Sequence, residues 1–157
     1  RAVLIDVAAY KGVGRLDPGY AIRPSDLEGA LRAQGVDVTE GTIVLIHTGS
    51  DDTFLNDPAA HATSSPGLNL EAARWLSSRR VVAVGGDNHG LEVQPGETAS
   101  QVFPVHQHLL VNQGIYIIEN MKLDELADRG AYESTLIMLP TKFKGATGSP
   151  VRIIALL

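Results

Sequence analysis

The 157-residue sequence is 44% hydrophobic and 20% charged, close to the ordinary globular mix, which excludes disordered, collagen-like and coiled-coil classes. Its 13 basic and 18 acidic residues give a formal net charge of −5, and Lys and Arg occur singly or in pairs such as Arg79 and Arg80, so nucleic acid and anionic membrane are not expected partners. The absence of cysteine removes disulfides, thiolate catalysis and sulfur-ligated zinc or iron–sulfur sites, leaving His, Asp and Glu as metal ligands.

Ala2 to Val7 is a continuous apolar run broken only by Asp6, the pattern of a strand buried on both faces. It follows Arg1 directly, with no Met, cap or leading loop, and this leads to the expectation that the chain is cut from a longer protein. A Gly- and Pro-bearing loop, Lys11 to Gly19, precedes Ser25, Asp26, Leu27 and Glu28, which read as an N-cap and an acidic first turn. Gly35 then stops a helix over Asp26 to Gln34. Thr42 to Ile46 is a second buried strand, and it opens into a long polar stretch, His47 to Ser65.

Asn69 caps a helix from Leu70 to Ser78, and Val81 to Val84 is a third strand. Gly85 to Glu97 is a second polar loop. Pro104 suits the first turn of a helix ending near Gln113, and Ile115 to Ile118 is a fourth strand. A short helix around Leu123 to Ala127 and strands at Tyr132 to Leu139 and Val151 to Leu157 complete the chain. Strands alternating with helices predict one α/β domain over residues 1–157 with a mixed sheet. No apolar run reaches the roughly 20 residues of a membrane helix and no signal segment is evident, so a cytoplasmic location is expected.

Histidine is the informative residue type. At 100° per residue His106 projects between Leu109 and Leu110 and so faces inward, while His108 faces outward. An inward histidine is either a hydrogen-bonded core residue or a ligand. Glu119 closes the Ile115 to Ile118 strand where it leaves the core, and is either a strand-end acid paired with Lys122 or a metal-bound carboxylate. Together the two present a nitrogen and an oxygen suited to one divalent cation, with at least one further ligand required from elsewhere. Asp87 follows the third strand, where α/β clefts commonly open, or else it forms an Asx-turn. Thr48-Gly49-Ser50 and Thr147-Gly148-Ser149 lack the serine elbow and read as turns. Lys144 to Arg152 is either an anion nest or a hairpin connection.

In order along the chain, VLIDV and AYKG (Val3 to Gly12), GTIVLIHTG (Gly41 to Gly49), PGLNLEAARWL (Pro66 to Leu76), VGGDN (Val84 to Asn88), FPVHQHLL (Phe103 to Leu110), GIYIIEN (Gly114 to Asn120) and GATGSPVR (Gly145 to Arg152) resemble the metal-dependent cyclase family, hydrolases that include kynurenine formamidase and isatin hydrolase. The resemblance implies a swivelling β/β/α fold, a divalent metal such as zinc or manganese, and hydrolysis of a small amide, lactam, ester or lactone. It places His106 and Glu119 at two metal-ligand positions, while Gly67 and Asp87 are candidate substrate contacts. The family's His- and Asp-bearing segment, which carries the other ligands and a catalytic histidine, lies upstream of Ala2 and is absent from this sequence. The catalytic residues are therefore unassigned, with His47, His61 and His89 as candidates to substitute. The expectation is a hydrolase completed by a missing N-terminal segment or a second subunit, in a homo-oligomer; the alternative is a non-catalytic ligand-binding or assembly module of the same fold.

Overall fold

A computed structural model describes residues 1–51, 53–98 and 102–157, so residue 52 of the first polar loop and residues 99–101 at the end of the second lie outside the described residues. Its centre is a parallel array. Strand β1 (Ala2–Asp6) pairs in parallel with β3 (Ile43–His47), β3 with β5 (Ala83–Gly86), and β5 with β6 (Tyr116–Ile118). On its other side β1 pairs antiparallel with β7 (Glu133–Pro140), which pairs antiparallel with β8 (Val151–Leu156). The result is a six-stranded mixed sheet of order β6-β5-β3-β1-β7-β8, the α/β architecture expected. A small parallel pair, β2 (Ala21–Ile22) with β4 (Gly67–Leu68), was not foreseen, because two-residue strands carry no periodicity.

Alternation along the strands divides the core. Val3 and Ile5 of β1 and Val44 and Ile46 of β3 face one side, where α2 (Pro24–Gln34) and α5 (Leu70–Ser78) contribute Leu27, Leu31, Ala72, Ala73 and Leu76. Ala2, Leu4 and Leu45 face the other side, with Met121 and Leu123. All of β1 is buried, as expected of a strand covered on both faces.

The helices follow local signals with instructive shifts. Helix α2 begins at Pro24 rather than Asp26, since Asp26 reaches back to accept the Arg23 N–H at 2.9 Å and so satisfies the first turn without Ser25. Asn69 caps α5 through the Ala72 N–H, as read. The run from Ala2 ends one residue early: Asp6 accepts the Ala9 N–H and starts a short helix, α1 (Val7–Tyr10). The polar stretch after β3 contains helices α3 (Thr53–Asn56) and α4 (Pro58–Thr63). The predicted helix from Pro104 is one turn, α6 (Pro104–His106), widening into a π-helix over Gln107–Asn112. Helix α7 (Asp124–Asp128) precedes β7. Lys144 to Arg152 belongs to the exposed connection of the β7–β8 hairpin and the start of β8, favouring the hairpin reading over an anion nest. No helix among the described residues is long and apolar enough to cross a membrane.

Candidate metal centre

Four parallel strands bring their carboxyl ends to one edge of the sheet, where α/β folds build sites. That edge collects Asp6 and His47, which are register partners, then Asp87 just past β5 and Glu119 just past β6. They sort into two clusters, each a histidine between two carboxylates.

The first cluster is His47 with Asp6 and Asp87. His47 Nδ1 lies 2.9 Å from Asp6 Oδ1, and Nε2 lies 3.9 Å from Asp87 Oδ2. Burial by itself opposes a charge on His47, but the hydrogen bond to Asp6 and the charges of Asp87, Asp6 and Asp51 outweigh it and raise the pKa. Burial likewise works against Asp6, yet the His47 and Ala9 hydrogen bonds hold its pKa below the usual value. Asp87 is fully buried. It accepts the backbone N–H groups of Thr48 at 2.9 Å, Gly49 at 2.8 Å and Ser50 at 3.1 Å, and the Thr48 hydroxyl at 2.7 Å. Burial pushes its pKa up against these donors and His47. Gly49, with φ of 77°, turns where an added Cβ would overlap the backbone of Gly14.

Asp87, the expected substrate contact, is buried with its oxygens bonded to the turn after β3. Gly67, the other expected substrate contact, sits in a tight crossing of two segments. It is buried, and a Cβ there would overlap the backbone of Leu91 and Glu92. Its bareness permits close passage of two chain segments.

The second cluster is His106 with Glu92 and Glu119. Helix α6 and the end of β6 bring His106 Nε2 to 3.1 Å from Glu119 Oε1. On the opposite edge of the ring, Nδ1 lies 2.6 Å from Glu92 Oε1. Hydrogen bonds first to Glu119 and then to Glu92 push the His106 pKa up to about 9, and the His106 bond holds Glu119 below its ordinary value. Glu92 is 2% exposed while the Glu119 side chain is 35% exposed, so the cluster has a closed side and an open one. Lys122, the sequence alternative as partner of Glu119, pairs with Asp124 at 2.8 Å.

Further histidines approach the open side. His61 of α4 lies 2.7 Å through Nε2 from Asn120 Oδ1, next to Glu119, and its ring centre is 5.8 Å from that of His89. His89 is exposed and close enough to Glu119 to lower its pKa. His108, expected to face outward, instead lies 2.8 Å through Nε2 from Ser77 Oγ of α5. The projection assumed 3.6 residues per turn, and the π-helix does not keep that spacing.

Backbone strain marks the same place. Among the described residues, positive φ outside glycine occurs at Leu91, Phe103, Asn120 and Arg80. The first precedes Glu92, the second begins the turn carrying His106 and the third follows Glu119. Each such residue costs of order 1–3 kcal/mol and persists where surrounding structure demands it, commonly at functional sites.

Two ligand atoms bonded to one cation at about 2.0–2.2 Å lie about 3 to 3.4 Å apart. The 3.1 Å between His106 Nε2 and Glu119 Oε1 suits such a pair, and a nitrogen with a carboxylate oxygen suits zinc or manganese. Among the described residues no group of three or more His, Asp or Glu side chains is arranged to hold a metal, so these residues fit part of a coordination sphere. Sequence reasoning missed Glu92, His61 with Asn120, and the pairing of His47. The cue for Glu92 was an acid between apolar neighbours, Leu91 and Val93, the mark of a buried carboxylate.

Comparison with known proteins bears on the family. A family model described as "Putative cyclase" matches residues 1–93. Isatin hydrolase of Roseibium aggregatum is 29% identical over 146 residues, covering 89% of this chain and 54% of that protein. Kynurenine formamidase of Bacillus cytotoxicus is 30% identical over 155 residues, covering 98% of this chain and 66% of the relative. Among solved structures, one described as a novel cyclase superposes with a TM-score of 0.86 at 34% identity, over 98% of this chain and 51% of its own. An isatin hydrolase bound to the product analogue thioisatinate gives a TM-score of 0.80 at 26% identity, over 99% of this chain and 59% of its own. The chain thus spans about half to two thirds of the length of these relatives.

Proposed function

Since this chain belongs to the cyclase family, we propose that it is part of a metal-dependent hydrolase of a small cyclic or N-acyl compound, an amide, lactam, ester or lactone, with His106 and Glu119 as its metal ligands. The observation that carries this reading is the convergence of His106 Nε2 and Glu119 Oε1 at 3.1 Å on the open side of a histidine whose other nitrogen is already engaged. Relatives named as hydrolases favour turnover over a non-catalytic module.

A bound zinc or manganese would supply a water of lowered pKa and polarise the substrate carbonyl. This chain's own residues do the rest at their half of the site. His106 offers Nε2 only after releasing the proton it shares with Glu119, and Glu119 brings the negative charge. His61, fixed by Asn120, and exposed His89 stand beside Glu119 as groups able to accept or give a proton. A catalytic zinc takes three protein ligands, so the remainder comes from polypeptide beyond these residues or from a second subunit. A concave groove of about 560 Å³ between α7 and the β7–β8 hairpin reaches Glu119 and is lined by Ile118, Leu126, Leu136, Ile153 and Ala155.

The test is metal content and hydrolysis by the protein in its complete assembly. Aryl formamides, isatin and lactones are the substrates, with zinc or manganese added. The expected result is chelator-sensitive turnover that His106→Ala abolishes together with bound metal. Equal metal content in His106→Ala and parent would refute the ligand assignment.

A further inference from the structure

We propose that Glu92 is the positioning residue of the metal centre, holding the proton of His106 on Nδ1 so that Nε2 is the nitrogen that gives up its proton to Glu119 and turns to a cation; this rests on the metal-ligand reading above. Burying a carboxylate is costly unless its oxygens are bonded, and Glu92 is 2% exposed. Its bonds converge on one short stretch. Oε2 accepts the Val105 N–H at 3.2 Å, and Oε1 accepts the His106 N–H at 3.2 Å while lying 2.6 Å from His106 Nδ1.

The two backbone bonds are those of a helix cap, and Phe103 at the N-cap position provides no side-chain bond to this turn. A cap alone would leave the His106 ring free to rotate. The third bond does not. A carboxylate accepts and does not donate, so Nδ1 carries a proton toward buried Glu92, and Nε2, whose proton faces the open Glu119, is the ring nitrogen that can be freed to take a cation. The ring of Phe103, edge-on at 5.3 Å between centres, bears on the same imidazole.

Glu92 is itself held from behind. The Leu68 N–H donates to Leu91 O at 3.0 Å and the Val93 N–H to Leu68 O at 3.1 Å, pinning the segment to β4. Leu91 takes φ of 57° to aim Glu92, and Gly67 makes room for the Glu92 backbone. Positioning runs from β4 through Glu92 to His106 without touching any ligand.

The experiment uses the full chain with isotope-labelled histidine, observed by NMR before and after addition of zinc, or of NMR-active cadmium as a coupled probe. In the metal-free parent the His106 Nδ1 proton is expected strongly downfield, as for a short bond to a carboxylate, and this resonance moves upfield in Glu92→Gln. In the loaded parent, coupling to cadmium should appear on Nε2 with the Nδ1 proton retained. Zinc affinity, measured against a competing chelator, should fall about 10–100-fold in Glu92→Gln, the usual cost of losing such an outer partner. Unchanged affinity in Glu92→Gln, or cadmium on Nδ1, overturns the proposal. If Glu92→Gln does not fold, the cadmium coupling in the parent decides alone. If the parent binds no metal, the ligand reading fails, and the Nδ1 resonance still tests whether Glu92 holds the ring.

Discussion

The two histidine clusters at the carboxyl edge of the sheet use the same residue types to opposite ends. His47 and His106 each sit between two acids. Around His47 both acids are also committed to backbone, Asp6 to the start of α1 and Asp87 to the Thr48–Ser50 turn, and the ring is nearly closed from solvent. Around His106 only Glu92 is so committed, and the Glu119 side chain stays 35% exposed with no backbone donor bonded to it among the described residues. The difference teaches that residue identity does not separate a structural ion cluster from a site; spare bonding capacity on the open side does.

The largest effect expected from breaking this contrast is at Asp87. Asp87→Ala strips a buried partner from His47 and orphans the Thr48, Gly49 and Ser50 amides, a loss of about 3–5 kcal/mol on the scale of a broken buried pair. Urea unfolding measures it, and a loss under 1 kcal/mol would show that Asp87 is not structural. Gly67→Ala comes next, costing about 1–3 kcal/mol as overpacking against backbone. It should also weaken zinc binding by displacing Glu92, and unaltered zinc affinity would separate Gly67 from the site.

A pH dependence sharpens the comparison further. The His106 pKa is raised from 6.5 to about 9 in the metal-free chain, so the stability it contributes is fully present below about 6.5 and is lost as pH rises through about 9. Glu119→Gln removes the first cause of that shift and should flatten the stability profile between those values, while His47, whose pKa is also raised, continues to titrate. Identical profiles for parent and Glu119→Gln would exclude the His106–Glu119 bond. The smallest effect is His108→Ala, about 0.5–1.5 kcal/mol for the bond to Ser77, with metal content unchanged. Loss of metal in this variant would mean that the wrong histidine has been assigned.

The elements legible in the sequence were those whose signal is local. Asn69 capping and Gly35 termination fix helix ends within a turn, and unbroken apolar runs mark strands covered on both faces. That His106 and Glu119 meet was legible too, because each stands where an element leaves the core. Asp87 and Gly67 show the limit of local signals: a polar residue or a glycine at a strand end looks alike whether it faces a ligand or a neighbouring turn. The cue at Glu92 told of burial but not of its partner, which depends on β4, Leu91 and α6 meeting, and His108 was misdirected because no periodicity announces a π-helix.

The sheet's connectivity also bears on how the chain is made. Ala2 in β1 pairs with Ser134 in β7, about 130 residues later. At a synthesis rate of roughly 5–20 residues per second, β1 waits about 7 to 26 s for its second partner. During that interval one edge of the most buried strand is bare, and a ribosome stalled before Glu133 would hold out a sticky β-edge to every neighbouring nascent chain. Slow codons or a bound chaperone in the span between α7 and β7 would therefore set how long that edge stays open.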